Sequence, residues 1–161
     1  MRKRHINRWR VLREDSQRGS AIVEFVFVAL LVFVPLVYLI VAIAVVQRSR
    51  LATTNAARDV GRAIATADSG SQATARADAA FRIALASQGI SPTGAELRYV
   101  DADEGCEQGT GVVPRLAPGA EFAVCVLRSQ RLPGVPTIVS GRGVTTVGRY
   151  VVHVDDFRPA T

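Results

Sequence analysis

Residues Phe25–Gln47 read FVFVALLVFVPLVYLIVAIAVVQ, 23 consecutive positions without a charge. At 1.5 Å per residue a helix of this length rises roughly 33 Å, enough for a bilayer core of about 30 Å. The run is apolar all round, whereas a helix from a soluble core would show a polar face at i, i+3 and i+4 spacing. Pro35 lies inside it. A proline costs about 3 kcal/mol in a soluble helix interior, but membrane helices tolerate it with a kink. A single transmembrane helix over residues 20–47 decides the fold, and every other segment is read outward from it.

Upstream, residues 1–19 carry Arg2, Lys3, Arg4, Arg8, Arg10, Arg13 and Arg18 against Glu14 and Asp15. That is a local charge of +5 in a chain of net charge +6. A basic total can signal nucleic acid, but here the excess sits in one tail, so no nucleic-acid partner is expected. Basic residues flanking a span mark its cytoplasmic side. Arg48, Arg50, Arg58 and Arg62 follow the span, so the bias is a difference and not an absolute. The expected topology is single-pass, with a cytoplasmic leader at residues 1–19 and an extracytoplasmic domain at 48–161.

Downstream, the helix continues as a stalk over residues 48–68, because no Pro or Gly cluster interrupts it. A single helix from about Ala21 to Ala67 is expected. Val45, Ala52, Ala56, Val60, Ala63 and Ala67 recur on one side, Gly61 is a weak spot, and Asp59 can pair with Arg62 at i+3. Ser69–Gly70–Ser71 breaks the helix. A second, alanine-rich helix spans residues 73–88 and ends at Gly89, with Ile83 and the Phe81–Leu85 pair as its apolar side.

Strand character fills residues 95–157. Ala95–Val100, Glu121–Arg128 and Val144–Val154 are the candidates, and the polar, glycine-rich stretch 101–111 is a loop. In Glu121–Arg128, Phe122, Val124 and Val126 face one way and Ala123, Cys125 and Leu127 the other. Leu132–Pro136 cannot be a central strand, and residues 158–161 are tail. The fold class is therefore α+β: one long N-terminal transmembrane and stalk helix, a second helix, then a small antiparallel sheet of three or four strands.

Cys106 and Cys125 are the two cysteines. Outside the cytoplasm, an even pair across a modest loop reads as a disulfide, with two buried free thiols as the alternative. A zinc site would need four ligands, and the two histidines lie on opposite sides of the span, so no metal is expected. No G-x-S-x-G, H-E-x-x-H, P-loop or G-x-G-x-x-G occurs. His153 stands in a strand with no nucleophile tied to it. No enzyme activity, cofactor or small-molecule substrate is expected.

The chemistry that remains is at the start of the span, Arg18–Gly19–Ser20–Ala21–Ile22–Val23–Glu24–Phe25. A carboxylate at the edge of a membrane segment is costly and usually has a partner or a task. Cleavage after Gly19 would make Ser20 a cationic N-terminus with Glu24 one helical turn away. Glu24 could neutralise that amine on its own chain or on a neighbour. The bland alternative is a glutamate that snorkels to the headgroups.

This stretch resembles the corresponding segment of TadE-like proteins, pseudopilins of the tight-adherence (Flp) pilus system. Asn55–Ala56–Ala57–Arg58–Asp59 is similar to the helix those proteins carry just past the membrane. The resemblance covers about residues 18–62. It extends only loosely to the cysteine-bearing strand and to Asp156–Phe157–Arg158. It implies a type IV prepilin-like precursor in the bacterial cell membrane, cut after Gly19 by a prepilin peptidase, with Glu24 as the fifth mature residue. It further implies a minor-pilin or assembly role beside other pilins and pilus-assembly proteins, in secretion of a surface pilus and adhesion. Two competing readings are kept. One is an unprocessed, membrane-tethered binding module; the other is a secretory signal peptide cut near Ala42–Ile43–Ala44.

Overall fold

The structure, a computed structural model, describes residues 6–132 and 143–157, with side chains from residue 21 onward. The leader before Ile6, residues 133–142 and the tail from Arg158 lie outside the described residues, as does most of the Leu132–Pro136 segment. In chain order the elements are α1 (Ile6–Ala65), α2 (Gly70–Ser87), β1 (Ala95–Val100), β2 (Glu121–Gln130) and β3 (Val144–His153). They form two compact units, Met1–Val41 and Ala42–Thr161.

In the first unit, every large apolar side chain from Ile22 to Val41 is exposed. The helix is long and apolar enough to cross a membrane. A continuous apolar surface of this kind calls for lipid or another protein to cover it. The helix starts at Ile6, well before the expected Ala21. Nothing in residues 6–20 breaks it: there is no proline, and extending an existing helix carries no nucleation cost.

In the second unit, β1, β2 and β3 form one antiparallel sheet in the order β1-β2-β3. This is the α+β arrangement read from the sequence, with three strands. α1 and α2 cover one face. Phe122, Val124, Val126 and Val152 from that face are buried with Ala52, Ala56, Ala57, Val60 and Ile64 of α1 and Phe81 and Leu85 of α2. The other face carries a smaller cluster of Val100, Cys106, Ala123 and Cys125, with Leu127 partly buried against it. The alternation expected in β2 is the alternation observed.

α1 lies along β3, as three contacts at increasing height show. Ser49 Oγ meets Thr146 Oγ1 at 2.7 Å. Gly148 lies against the Thr53 backbone, and Gly61 lies under Tyr150 and Val152. From 49 to 61 the helix rises roughly 18 Å, and from 146 to 152 the strand spans roughly 20 Å. The two elements therefore stay in step.

The close approach depends on a second α1 stripe beside the expected one: Ser49, Thr53, Ala57 and Gly61, one small buried residue every fourth position. Gly61 is thus a packing position and not a weak spot. A Cβ there would come within 2.5 Å of the Tyr150 ring. Ala63, assigned to the buried stripe, is only half-buried, and Ile64 takes its place.

α2 begins at Gly70, three residues earlier than expected. The supposed breaker caps it: Ser69 Oγ accepts from the Gln72 amide at 3.3 Å, and Gln72 Oε1 accepts from the Asp68 amide at 2.6 Å. This is a capping box shifted by one donor. The helix closes on Gly89 at φ +63, and the Ile90 amide returns to the Leu85 carbonyl. Ile83, expected on the apolar side, is 68% exposed. It lies two residues from both Phe81 and Leu85, about 200° round the helix, so it points away when they point in. Arg82 pairs with Asp78 on that outer side, while Asp59 and Arg62 of α1 do not pair.

Candidate functional site

Gly19, Ser20 and Glu24 all lie within continuous α1. No loop separates the leader from the span. Ser20 and Glu24 are one turn apart, on one helical face. Glu24 is exposed and has no partner among the described residues, which leaves its carboxylate open to a cation supplied at residue 20 or by another chain.

The segment just past the span divides between core and surface. Ala56 and Ala57 are fully buried. Asn55, Arg58, Asp59 and Arg62 line a shallow polar depression of about 300 Å³ with Ala84, Ser87 and Gln88 of α2. The side chains of Arg58, Asp59 and Arg62 make no hydrogen bond or ion pair among the described residues. The surface they offer is charged and uncommitted.

On the outer face of the sheet, Cys106 and Cys125 are joined by a disulfide, with Cα atoms 5.6 Å apart. The register sets Arg98 of β1 and Arg149 of β3 on either side of Cys125. Both arginines donate to carbonyls of the 101–111 loop, which the disulfide tethers at Cys106: Arg98 to Cys106 at 3.4 Å, and Arg149 to Ala102. Within the loop, Glu104 Oε2 accepts from the Thr110 amide at 2.9 Å, and the Gly109 amide bonds the Gly105 carbonyl at 2.8 Å. One cross-strand row thus fixes a polar loop that has little apolar material of its own. The pairing of the cysteines was readable from the sequence. The two arginines were not, because nothing along the chain places residues 98 and 149 beside 125 until the register is known.

His153 faces Glu121, its cross-strand partner, with Nδ1 to Oε1 at 3.1 Å, and its Nε2 is 3.5 Å from Asp156 Oδ2. The hydrogen bond to Glu121, then that to Asp156, raises the imidazole pKa above its usual 6.5. Both ring nitrogens are turned to carboxylates, so the ring is held as a surface cation. Tyr99 stands edge-on to Phe122 with ring centroids 6.3 Å apart. Burial first, and the Asp78 charge second, push its phenol pKa up.

No curated protein and no solved structure matches the chain. A family model, described as TadE-like protein, matches residues 19–62. The match opens at Gly19, takes in Glu24 and the whole apolar run, and ends on Arg62 at the polar depression. From Gly19 to Arg62, through the apolar helix and the stalk that covers the sheet, the sequence is similar to TadE-like proteins.

Proposed function

We propose that the protein is a TadE-like pseudopilin or minor pilin that takes part in assembling a tight-adherence (Flp, type IV-like) pilus in the bacterial envelope. In this reading the leader is cytoplasmic, α1 crosses the membrane once, and the sheet-bearing domain is extracytoplasmic. A prepilin peptidase cuts after Gly19. The protein acts by packing and not by catalysis, and its partners are the membrane, other pilins and the assembly proteins.

The observation that carries the reading is Gly19–Ser20 followed by Glu24 at the head of an exposed apolar helix, all inside the matched segment. Glycine has no Cβ to hinder a peptidase at the backbone, and it loosens a helix by about 1 kcal/mol relative to alanine. The scissile bond lies in a helix, so that loosening helps to open it. Cleavage would leave an ammonium on Ser20 one turn from Glu24. An ion pair with a neighbouring chain would register one α1 against the next.

The mature N-terminus tests this directly. Protein isolated from the native envelope should begin at Ser20, and Gly19→Val should accumulate the uncut precursor. A chain that keeps Met1 supports the tethered binding module, and one that begins near Val45 supports a signal peptide. Either result removes the pilin reading.

A further inference from the structure

Arg128, near the end of β2, is half-buried and has no counter-ion among the described residues. Its Nη1 donates to Gln130 Oε1 at 2.7 Å and to Ser49 Oγ at 3.3 Å, both neutral oxygens. Arg128 Nε and Gln130 Nε2 are buried with no acceptor among the described residues. Neutral oxygens leave the guanidinium charge without a compensating carboxylate, and that charge has an unusual location.

The register places Ala95, Arg128 and Thr146 in one row at the end of the domain where α1 comes in. Arg48 is at the same end, donating to the Gln88 carbonyl at the C-terminus of α2. Arg50 and Arg131 are there too, both exposed. The carboxylate at this end among the described residues is Glu96, which is on the outer face of the sheet and already bound to Arg98 at 2.6 Å. The far end, where α1 stops and β2 starts, carries Asp68, Asp101, Asp103, Glu121, Asp155 and Asp156 against Arg76, Arg115 and His153, and so has an acidic excess. The domain is therefore polarised along its helix.

We propose that the basic end of the domain binds anionic phospholipid headgroups through Arg50, Arg128 and Arg131, with Arg48 beside them. The apolar run ends at Gln47, so Arg50 stands roughly 5 Å further along the helix, at headgroup level. Arginine matches a phosphate with paired, forked hydrogen bonds. The attraction of a charged membrane surface fades within a Debye length of about 10 Å, and these side chains lie inside it. An acidic protein partner would have to enter the headgroup layer to reach them; the lipid phosphate is already there. The inference rests on α1 crossing a bilayer. It needs neither the pilus role nor one orientation, because both leaflets present phosphate.

The test reconstitutes the full chain into nanodiscs of phosphatidylcholine, alone or with about a third phosphatidylglycerol, and follows amide hydrogen exchange over residues 87–95 and 127–132. Exchange in the anionic discs should be slower by about fivefold or more, the factor one arginine supplies at an anionic surface. Arg50→Gln/Arg131→Gln, which changes only exposed side chains, should shrink the difference, leaving what Arg128 and Arg48 supply. Arg82→Gln/Arg115→Gln, which removes equal charge elsewhere, should keep it. Equal exchange in the two lipids, or equal loss in the two variants, overturns the proposal while leaving the span intact. Failure to insert into either disc overturns the span and the proposal together.

Discussion

Gly148 of β3 rests on the backbone of Thr53 in α1 so closely that a Cβ at position 148 would overlap the Thr53 carbonyl. Backbone cannot swing aside as a side chain can. Gly148→Ala should therefore destabilise the domain by about 3 kcal/mol, at the upper end of the cost of overpacking. Gly61→Ala makes a useful contrast. Its new methyl would meet the Tyr150 ring, which can turn, and alanine gains about 1 kcal/mol in helix propensity. The net loss there should be smaller. Denaturant unfolding of both variants in detergent micelles gives the order, and a Gly148→Ala protein as stable as the parent would contradict the close approach.

The Cys106–Cys125 bond closes a loop of about 20 residues and should contribute roughly 3 kcal/mol in the chain-entropy model. Cys106→Ser should lower the melting temperature and expose the loop around Glu104–Gly109 to protease. Arg149→Gln removes one hydrogen bond from the same row and should cost about 1 kcal/mol. Because both changes release one loop, their double variant should lose less than the sum. Simple additivity would show that the row does not act as a unit.

The His153 pair predicts a pH dependence of definite sign. The folded imidazole has a raised pKa, so its contribution is complete below the unfolded value of about 6.5 and is lost as pH rises through the folded value. Stability should therefore fall slightly between mildly acidic and mildly alkaline pH. In Glu121→Gln the fall should shrink, since the first of the two carboxylates is gone. The effect is small because the pair is exposed. Titration of His153 by NMR below its usual pKa would reverse the sign and refute the assignment.

Glu24→Gln should leave membrane fractionation unchanged and reduce co-assembly with pilus components. The carboxylate is exposed and has no partner among the described residues, so folding does not depend on it. Assembly at the wild-type level, measured by co-purification with sheared pili, would refute the charge-pairing mechanism.

What the sequence disclosed depended on contrast. The unbroken apolar run and the period-two alternation of β2 are strong signals, and both are found where they were read. Cys106 and Cys125 could be paired because no other cysteine competes. The stripe Ser49–Thr53–Ala57–Gly61 was missed because small polar residues and glycine score as neutral, although size is what the contact needs. Ile83 was misplaced because hydrophobicity was weighed above angle. Ser69, read as a breaker, is a cap, since the same residue chemistry serves both ends of a connection. The Arg128–Ser49–Thr146 cluster joins three elements far apart in sequence, and no local pattern announces it.

The stripe along α1 also bears on how such chains can diverge. The family match stops at Arg62, yet residues 49–61 within it form one wall of the core whose other wall, the sheet, lies outside the match. The two walls are not independent modules. A homologous helix grafted onto this sheet would fit only if it kept small residues at positions 53, 57 and 61. A new sheet under this helix would need its own relief at position 148. Sequence drift in the unmatched part is thus bounded by a steric template carried in the matched part, and compensating pairs such as Gly61 with Tyr150 are where that coupling should leave its trace.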